Sequence, residues 1–215
     1  EIPAHWRVLP LRRLVFAVKT GTTPHQVNDA HFEVDGLQWI RPGDFSGSML
    51  LDRAENNLSV EGRAAVRVFP AGTVMHVGIG ATIGKVGVTT REASCNQQVN
   101  AIVCNENLNN FFAAYFLQSI QQFIVKCGKY TTLPILNQDE TKGLLFSVPP
   151  VEEQLEIVDY LSTHIESIER QKGKIDHVIA KLWEYRSALI TNAVTGKIDV
   201  RGFKLPEAAD ETAHA

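Results

Sequence analysis

The sequence predicts an α+β protein, in which a mixed α/β domain of short twisted strands is followed by one long α-helix. Three observations predict it. Residues 1–148 consist largely of short β-rich runs separated by glycine and proline. Pro149-Pro150 then marks a break, because each proline disfavours helix in the residue before it and Pro150 can occupy a first helical position. From Val151 to Asn192 the chain is rich in Glu, Leu, Ile, Gln and Lys, has no proline, and has Gly173 as its only glycine. The regular strand–helix alternation of a doubly wound sheet is missing, which argues against a dinucleotide-binding domain.

In chain order, Pro10 to Val18 reads as a short helix. Strands are expected at Leu37–Ile40, Ala65–Phe69, Thr73–Val77, Lys85–Thr89 and Val99–Cys104, each apolar or β-branched and bounded by turn residues. Asn109 to Cys127 reads as a helix whose Phe112, Tyr115, Phe116, Leu117, Ile120, Phe123 and Ile124 cover one broad face, so these side chains are assigned to the core. The run after Pro150 spans about 42 residues, roughly 63 Å at 1.5 Å per residue, well beyond an ordinary globular helix.

Register sharpens the reading of that helix. Leu161, Ile168, Ile175, Leu182 and Leu189 recur every seven residues, with Val151, Val158, Ile165, Lys172, Ile179, Arg186 and Ala193 as the companion series. This is the heptad seam of a coiled coil, narrower than the stripe of a helix lying on its own domain. Lys172 and Arg186 interrupt the seam, and such polar positions commonly set register or partner choice. Gly196 can take the left-handed conformation that closes a helix, and Pro206 to Ala215 reads as a disordered tail. The expected organisation is therefore a globular domain over 1–148, a spacer helix over 149–196, and a C-terminal tail over 197–215.

The 215 residues, 44% of them apolar, suffice for one generous core or two modest ones, which excludes collagen-like, mucin-like and wholly disordered readings. No segment approaches a membrane span and the first residues lack a signal-peptide layout, so a cytoplasmic location with no membrane partner is expected. Cys95, Cys104 and Cys127 are odd in number and form no metal-binding spacing, so they read as reduced and structural. The net charge of −3 hides an asymmetry: residues 1–150 carry 13 Lys+Arg and 12 Asp+Glu, whereas residues 151–215 carry 8 and 12. The total therefore says little about any one face of the first domain.

Catalytic signatures fail on inspection. In Gly78-Ile79-Gly80-Ala81-Thr82-Ile83-Gly84-Lys85, five residues separate Gly78 from Gly84 where a phosphate loop needs four, and Val86 stands where Ser or Thr would meet the metal. A turn between strands explains these glycines better. Glu140-Thr141-Lys142 lacks the upstream acidic partner of a nuclease site, and Val148-Pro149-Pro150 lacks the Asn and aromatic of an adenine methyltransferase loop. The seven histidines show no metal or triad spacing. No catalytic residue, cofactor or metal site is assigned.

The ordered set of motifs nevertheless resembles one half of a type I restriction-modification specificity subunit. It comprises Ile2 to Trp6, Lys19 to Pro24, Trp39 to Asp44, Phe69 to Thr73, Gly78 to Gly87, Asn96-Gln97-Gln98 and Leu133 to Asn137. The strongest block is Val148-Pro149-Pro150-Val151-Glu152-Glu153-Gln154 with the long helix and its end, Ala193 to Lys197. The resemblance implies a target recognition domain over the first 148 residues and a conserved helical spacer after it. It further implies a non-catalytic subunit that reads one half of a bipartite double-stranded DNA target. Such a subunit docks a methyltransferase and a restriction endonuclease subunit. Family members usually carry two such repeats with their long helices antiparallel; this sequence shows one, and reads as a half subunit or a truncated chain that pairs with itself or with a second specificity half.

For a DNA reader, cations and small hydroxyl residues on loops fix phosphates while a few side chains reach base edges. The candidates are Lys19, Thr22 and Thr23; Arg41, placed to grip guanine; Thr82 and Lys85 beside the glycine loop; and Lys129, Tyr130, Thr131 and Thr132. Gln97, Gln98 and Asn100 lie in a motif shared by the family and read as holding the fold together. The dimer seam is assigned to Val158, Leu161, Ile165, Ile168, Lys172, Ile175, Ile179, Leu182 and Leu189. A coiled-coil protein-interaction adaptor that reads no DNA is the alternative.

Overall fold

The computed structural model describes residues 2–24, 29–127 and 135–203. Its strands are β1 (Arg7–Pro10), β2 (Val15–Thr20), β3 (Phe32–Ile40), β4 (Leu50–Leu51), β5 (Asn57–Leu58), β6 (Val74–Val77), β7 (Val86–Thr89), β8 (Ala93–Cys95), β9 (Val99–Cys104) and β10 (Leu145–Val148). The helices are α1 (Val60–Ala64), α2 (Asn110–Ser119), α3 (Gln121–Cys127), α4 (Gln138–Gly143) and α5 (Val151–Val194). The class is α+β with a long C-terminal helix, as the sequence predicts.

A five-stranded sheet in the order β2-β9-β6-β7-β4 forms the middle layer. Its strands alternate side chains between two buried faces, the pattern expected of a sheet covered on both sides. Val18, Val74, Val88 and Ile102 meet Phe112, Ala113, Ala114 and Leu117 of α2 together with Phe146 of β10. On the opposite face Met75, Val77, Val99 and Ala101 pack with Ile40, Ala93 and Cys95 of a three-stranded sheet, β5-β3-β8, and with Phe45 and Phe69.

Three local expectations change. Pro10 to Val18 is not a helix: a single 3-10 turn at Leu11–Arg13 joins β1, paired antiparallel with β10, to β2, paired antiparallel with β9. Leu11, Leu14 and Val18 are buried at helix-like spacing, but long-range ladders satisfy the backbone instead. Ala65–Phe69 forms no strand. The Ser59 hydroxyl caps α1 by accepting the Gly62 N–H at 3.2 Å, and the chain then reaches one isolated bridge between Phe69 and Ala93. The helix expected over Asn109–Cys127 is two helices, interrupted at Ile120.

The glycine run from Gly78 to Gly84 connects the antiparallel strands β6 and β7, a hairpin connection as expected. Glu140-Thr141-Lys142 has a structural role throughout. Glu140 completes a capping box by accepting the Asn137 N–H at 2.9 Å, Thr141 is buried, and Lys142 pairs with Asp139 at 3.1 Å.

The 44 residues of α5 form one continuous helix. Gly196 follows it with φ +73°, the left-handed conformation that lets Lys197 and Ile198 N–H groups reach the Asn192 carbonyl at 2.9 and 3.1 Å. Its first turn is clamped to the globular domain. The buried Gln154 accepts from the Asn109 N–H at 2.7 Å and donates to the Asn107 and Pro149 carbonyls, each at 3.0 Å. Glu153 accepts from Trp6 Nε1 at 3.0 Å and meets His5 Nε2 at 2.8 Å, with its carboxyl held below the usual range by the His5 and Trp6 hydrogen bonds.

The chain divides into two compact units, Glu1–Leu161 and Ser162–Ala215. The first reaches past Pro150 because Ile157 and Val158 pack against the core of the domain. Val158, expected in the helix–helix seam, is thus half-buried on its own domain. Within the second unit the seam residues Ile165, Ile168, Ile175, Ile179, Leu182 and Leu189 are all exposed. Among the described residues no helix is long and apolar enough to cross a membrane, and no group of three His, Cys, Asp or Glu could hold a metal ion.

Candidate nucleic-acid interface

One end of the sandwich collects the loops that the sequence singles out. The pairings of Val77 with Val99, Thr20 with Asn100 and Ile40 with Cys95 align the ends of β2, β3, β6 and β8 with the start of β9. Residues 21–24, 41–49, 78–85 and 96–98 therefore leave the sheets on the same side. Backbone hydrogen bonds join them: Thr22 N–H to the Cys95 carbonyl at 2.8 Å, Gly78 N–H to Gln98 at 2.8 Å, and Asn96 N–H to Ile40 at 3.0 Å. Gly21 is required for this closure, since a Cβ there would stand 2.1 Å from the Cys95 carbonyl oxygen.

Among the candidates, Lys19 is exposed on β2. Thr22 and Thr23 are half-buried. The Thr22 carbonyl accepts from Trp39 Nε1 at 3.1 Å, and the Thr23 hydroxyl donates to Gln97 Oε1. Arg41 follows β3, as the sequence implies, but its Nη2 is engaged by Glu55 at 2.6 Å and its guanidinium lies 5.7 Å from the Trp39 ring centre. Asp44 fixes this turn by accepting from the backbone N–H groups of Arg41 at 2.7 Å and Glu55 at 2.8 Å. Lys85 Nζ donates to the Phe45 carbonyl at 3.2 Å, and Thr82 lies in the turn before it. Lys129, Tyr130, Thr131 and Thr132 lie outside the described residues. The structure thus gathers Thr22, Thr23, Arg41, Thr82 and Lys85 at one rim.

The stretch that holds Gln97, Gln98 and Asn100 divides in role. Asn100 is buried, accepts from Thr20 Oγ1 at 2.9 Å and donates to the Leu136 carbonyl at 2.9 Å and to Thr141 Oγ1 at 3.2 Å. Gln97 and Gln98 are exposed at the rim instead. Arg67 joins them there, although no local pattern marks it in the sequence: its N–H donates to Thr22 Oγ1 and its Nη1 to the Thr20 carbonyl, each at 3.0 Å. Beneath the rim, burial pushes the Cys95 thiol up to about 12, with the Arg67 charge opposing it; at the far end of β9, desolvation alone does the same to Cys104. These thiols are protonated at neutral pH and offer no nucleophile.

Comparison with solved structures finds the same fold elsewhere. A chain from work on complex assembly and conformational transition of the type I R-M system superposes with a TM-score of 0.74 at 19% identity, covering 90% of this chain and 46% of that one. The HsdS subunit from Thermoanaerobacter tengcongensis matches with a TM-score of 0.60 at 18% identity over 80% of this chain and 40% of its own. The S subunit of a type I restriction-modification system from M. genitalium matches at 0.55 and 19% over 77% and 40%. At these identities the likeness is one of fold, and the chain spans less than half the length of those solved chains. Residues 6–179 match the family described as type I restriction modification DNA specificity domain, and the chain belongs to that family.

Proposed function

We propose that this chain is a non-catalytic DNA-specificity subunit, or half subunit, of a type I restriction-modification complex. Its globular domain reads one half of a bipartite double-stranded target. Its long helix pairs with a second specificity half or with another copy of itself, and the assembly docks methyltransferase and restriction subunits. The observation that carries this reading is the single rim on which Thr22, Thr23, Arg67, Gln97 and Lys85 converge, in a chain of a DNA-specificity family. Oriented side-chain amides and guanidinium groups recognise base edges, whereas lysine and hydroxyl groups position the phosphates.

The test is selection from a randomised duplex library by the chain assembled with the methyltransferase subunit of its own system. Enrichment of a defined sequence, with affinity falling steeply as salt rises, is expected. No enrichment, together with a salt-insensitive protein contact, would overturn the reading in favour of an adaptor. In the same assay Lys85→Ala should flatten the salt slope by about one unit if it neutralises one phosphate.

A further inference from the structure

Arg67 lies on the connection between α1 and β6, and its backbone is secured from two directions. Its N–H donates to Thr22 Oγ1 at 3.0 Å, and its carbonyl accepts from Ser94 Oγ at 2.7 Å. The residue is exposed, yet Nη1 donates to the Thr20 carbonyl at 3.0 Å, so the guanidinium is oriented by the protein and not only by solvent. Nη1 is the nitrogen on the Cδ side of the group. The opposite edge, Nε–H with Nη2–H, therefore remains a two-donor fork without a partner among the described residues.

Two other arginines of the domain differ in this respect. Arg41 gives Nη2 to Glu55 at 2.6 Å, and Arg63 gives Nη2 to Glu92 at 3.1 Å. Arg67 has no carboxylate within ion-pair distance among the described residues. An anchored guanidinium has less rotamer freedom to lose on binding, and a planar fork matches guanine O6 and N7 in the major groove. A phosphate needs no such orientation, and lysines such as Lys19 and Lys85 can serve it as point charges.

We propose that Arg67 is a base-reading residue of this domain and that the half-target it reads contains a guanine facing it in the major groove. This rests on the DNA-reading function proposed above. The wild-type chain, in the assembly used for target selection, is titrated with its selected target and with every single-base-pair change, across a salt series. The titration is repeated for Arg67→Lys and Arg67→Ala, with melting temperatures measured in parallel.

Arg67→Lys keeps the charge but not the fork. Discrimination at one G·C pair should fall roughly tenfold or more in this variant, with the salt slope unchanged. Arg67→Ala should lose the same preference. If Arg67→Lys discriminates like wild type while Arg67→Ala weakens all sequences alike and flattens the salt slope, Arg67 is a phosphate contact and the proposal is overturned. Should Arg67→Ala melt early through loss of its bond to Thr20, the lysine variant alone decides. Absence of any sequence preference in the wild-type protein would instead refute DNA reading itself, and is seen before any variant is made.

Discussion

His76 sits in the middle of β6, paired with Val86 on one side and Asn100 on the other. Its side chain is fully buried, neither ring nitrogen has a hydrogen-bond partner among the described residues, and burial lowers its pKa from 6.5 to about 4. Between those values the unfolded chain takes up a proton that the folded one refuses. Stability therefore falls as pH drops through that window and is insensitive to this group above it, for a total of about 3 kcal/mol. Urea unfolding at pH 7 and pH 4 should show His76→Leu losing about 3 kcal/mol less than wild type over that interval; equal losses would show that the ring finds a partner. Two thiols behave in the opposite sense to a reactive cysteine. Cys95 and Cys104, raised to about 12, should resist alkylation at pH 8 in the folded protein and label fully in urea, as read by mass spectrometry.

Helix α5 is held at one end by a few polar atoms and left bare over much of its length. Of the three hydrogen bonds that Gln154 makes, two tie the first turn to the loop before α2 and the third returns to the Pro149 carbonyl. Gln154→Leu removes its donors and acceptor but leaves the Asn109 N–H and the Asn107 carbonyl without those partners, so it should cost about 2 to 4 kcal/mol in thermal or urea unfolding of the globular domain. Farther along, Ile168, Ile175 and Leu182 are about 60% exposed. The charges interrupting the seam have local partners: Lys172 meets Glu169 at 3.6 Å, and the Arg186 guanidinium lies 5.4 Å from the Trp183 ring centre. Replacing both Ile168 and Ile175 with Asp should leave the melting of the globular domain unchanged while abolishing helix pairing, because each change places a charge in a contact that excludes water. Light scattering reads the result, and an unchanged assembly mass would place the interface elsewhere.

For the molecule as a whole, leaving several seam side chains wet is costly, roughly 1.5 to 3 kcal/mol for each Leu or Ile that pairing would fully bury. Without a second specificity chain, self-association is the expected outcome, and a two-fold antiparallel pair is the simplest closed arrangement. Lys172 and Ile175, near the middle of the seam, would then approach their own symmetry mates. Sedimentation at micromolar concentration should give twice the chain mass, and a target selected by that pair should be an interrupted palindrome. A monomer, or a selected target with two unrelated halves, would contradict this arrangement.

Features encoded by neighbours close in sequence were readable without the structure. The heptads of α5, its start at Pro150 and its Gly196 end are local patterns, and the helix forms where they predict it. The turn between β6 and β7 was likewise legible from its glycines and flanking strands. Asn100 has the structural role its place in the sequence suggests, but Gln97 and Gln98 beside it face solvent, because of these three only position 100 lies within the ladder. Pro10 to Val18 misled because Leu11, Leu14 and Val18 have a spacing that suits a helix and also suits a turn between strands; pairing with β9 and β10, about ninety and one hundred and forty residues away, chose the latter. The rim was legible as a set of separate loops but not as one surface. Whether an arginine there is free or neutralised depends on which carboxylate the fold brings near it, Glu55 for Arg41 and none among the described residues for Arg67. Those partnerships are made across strands by tertiary packing, so the sequence determined the architecture and the family resemblance, while the fold alone decided which cations remain available to a ligand.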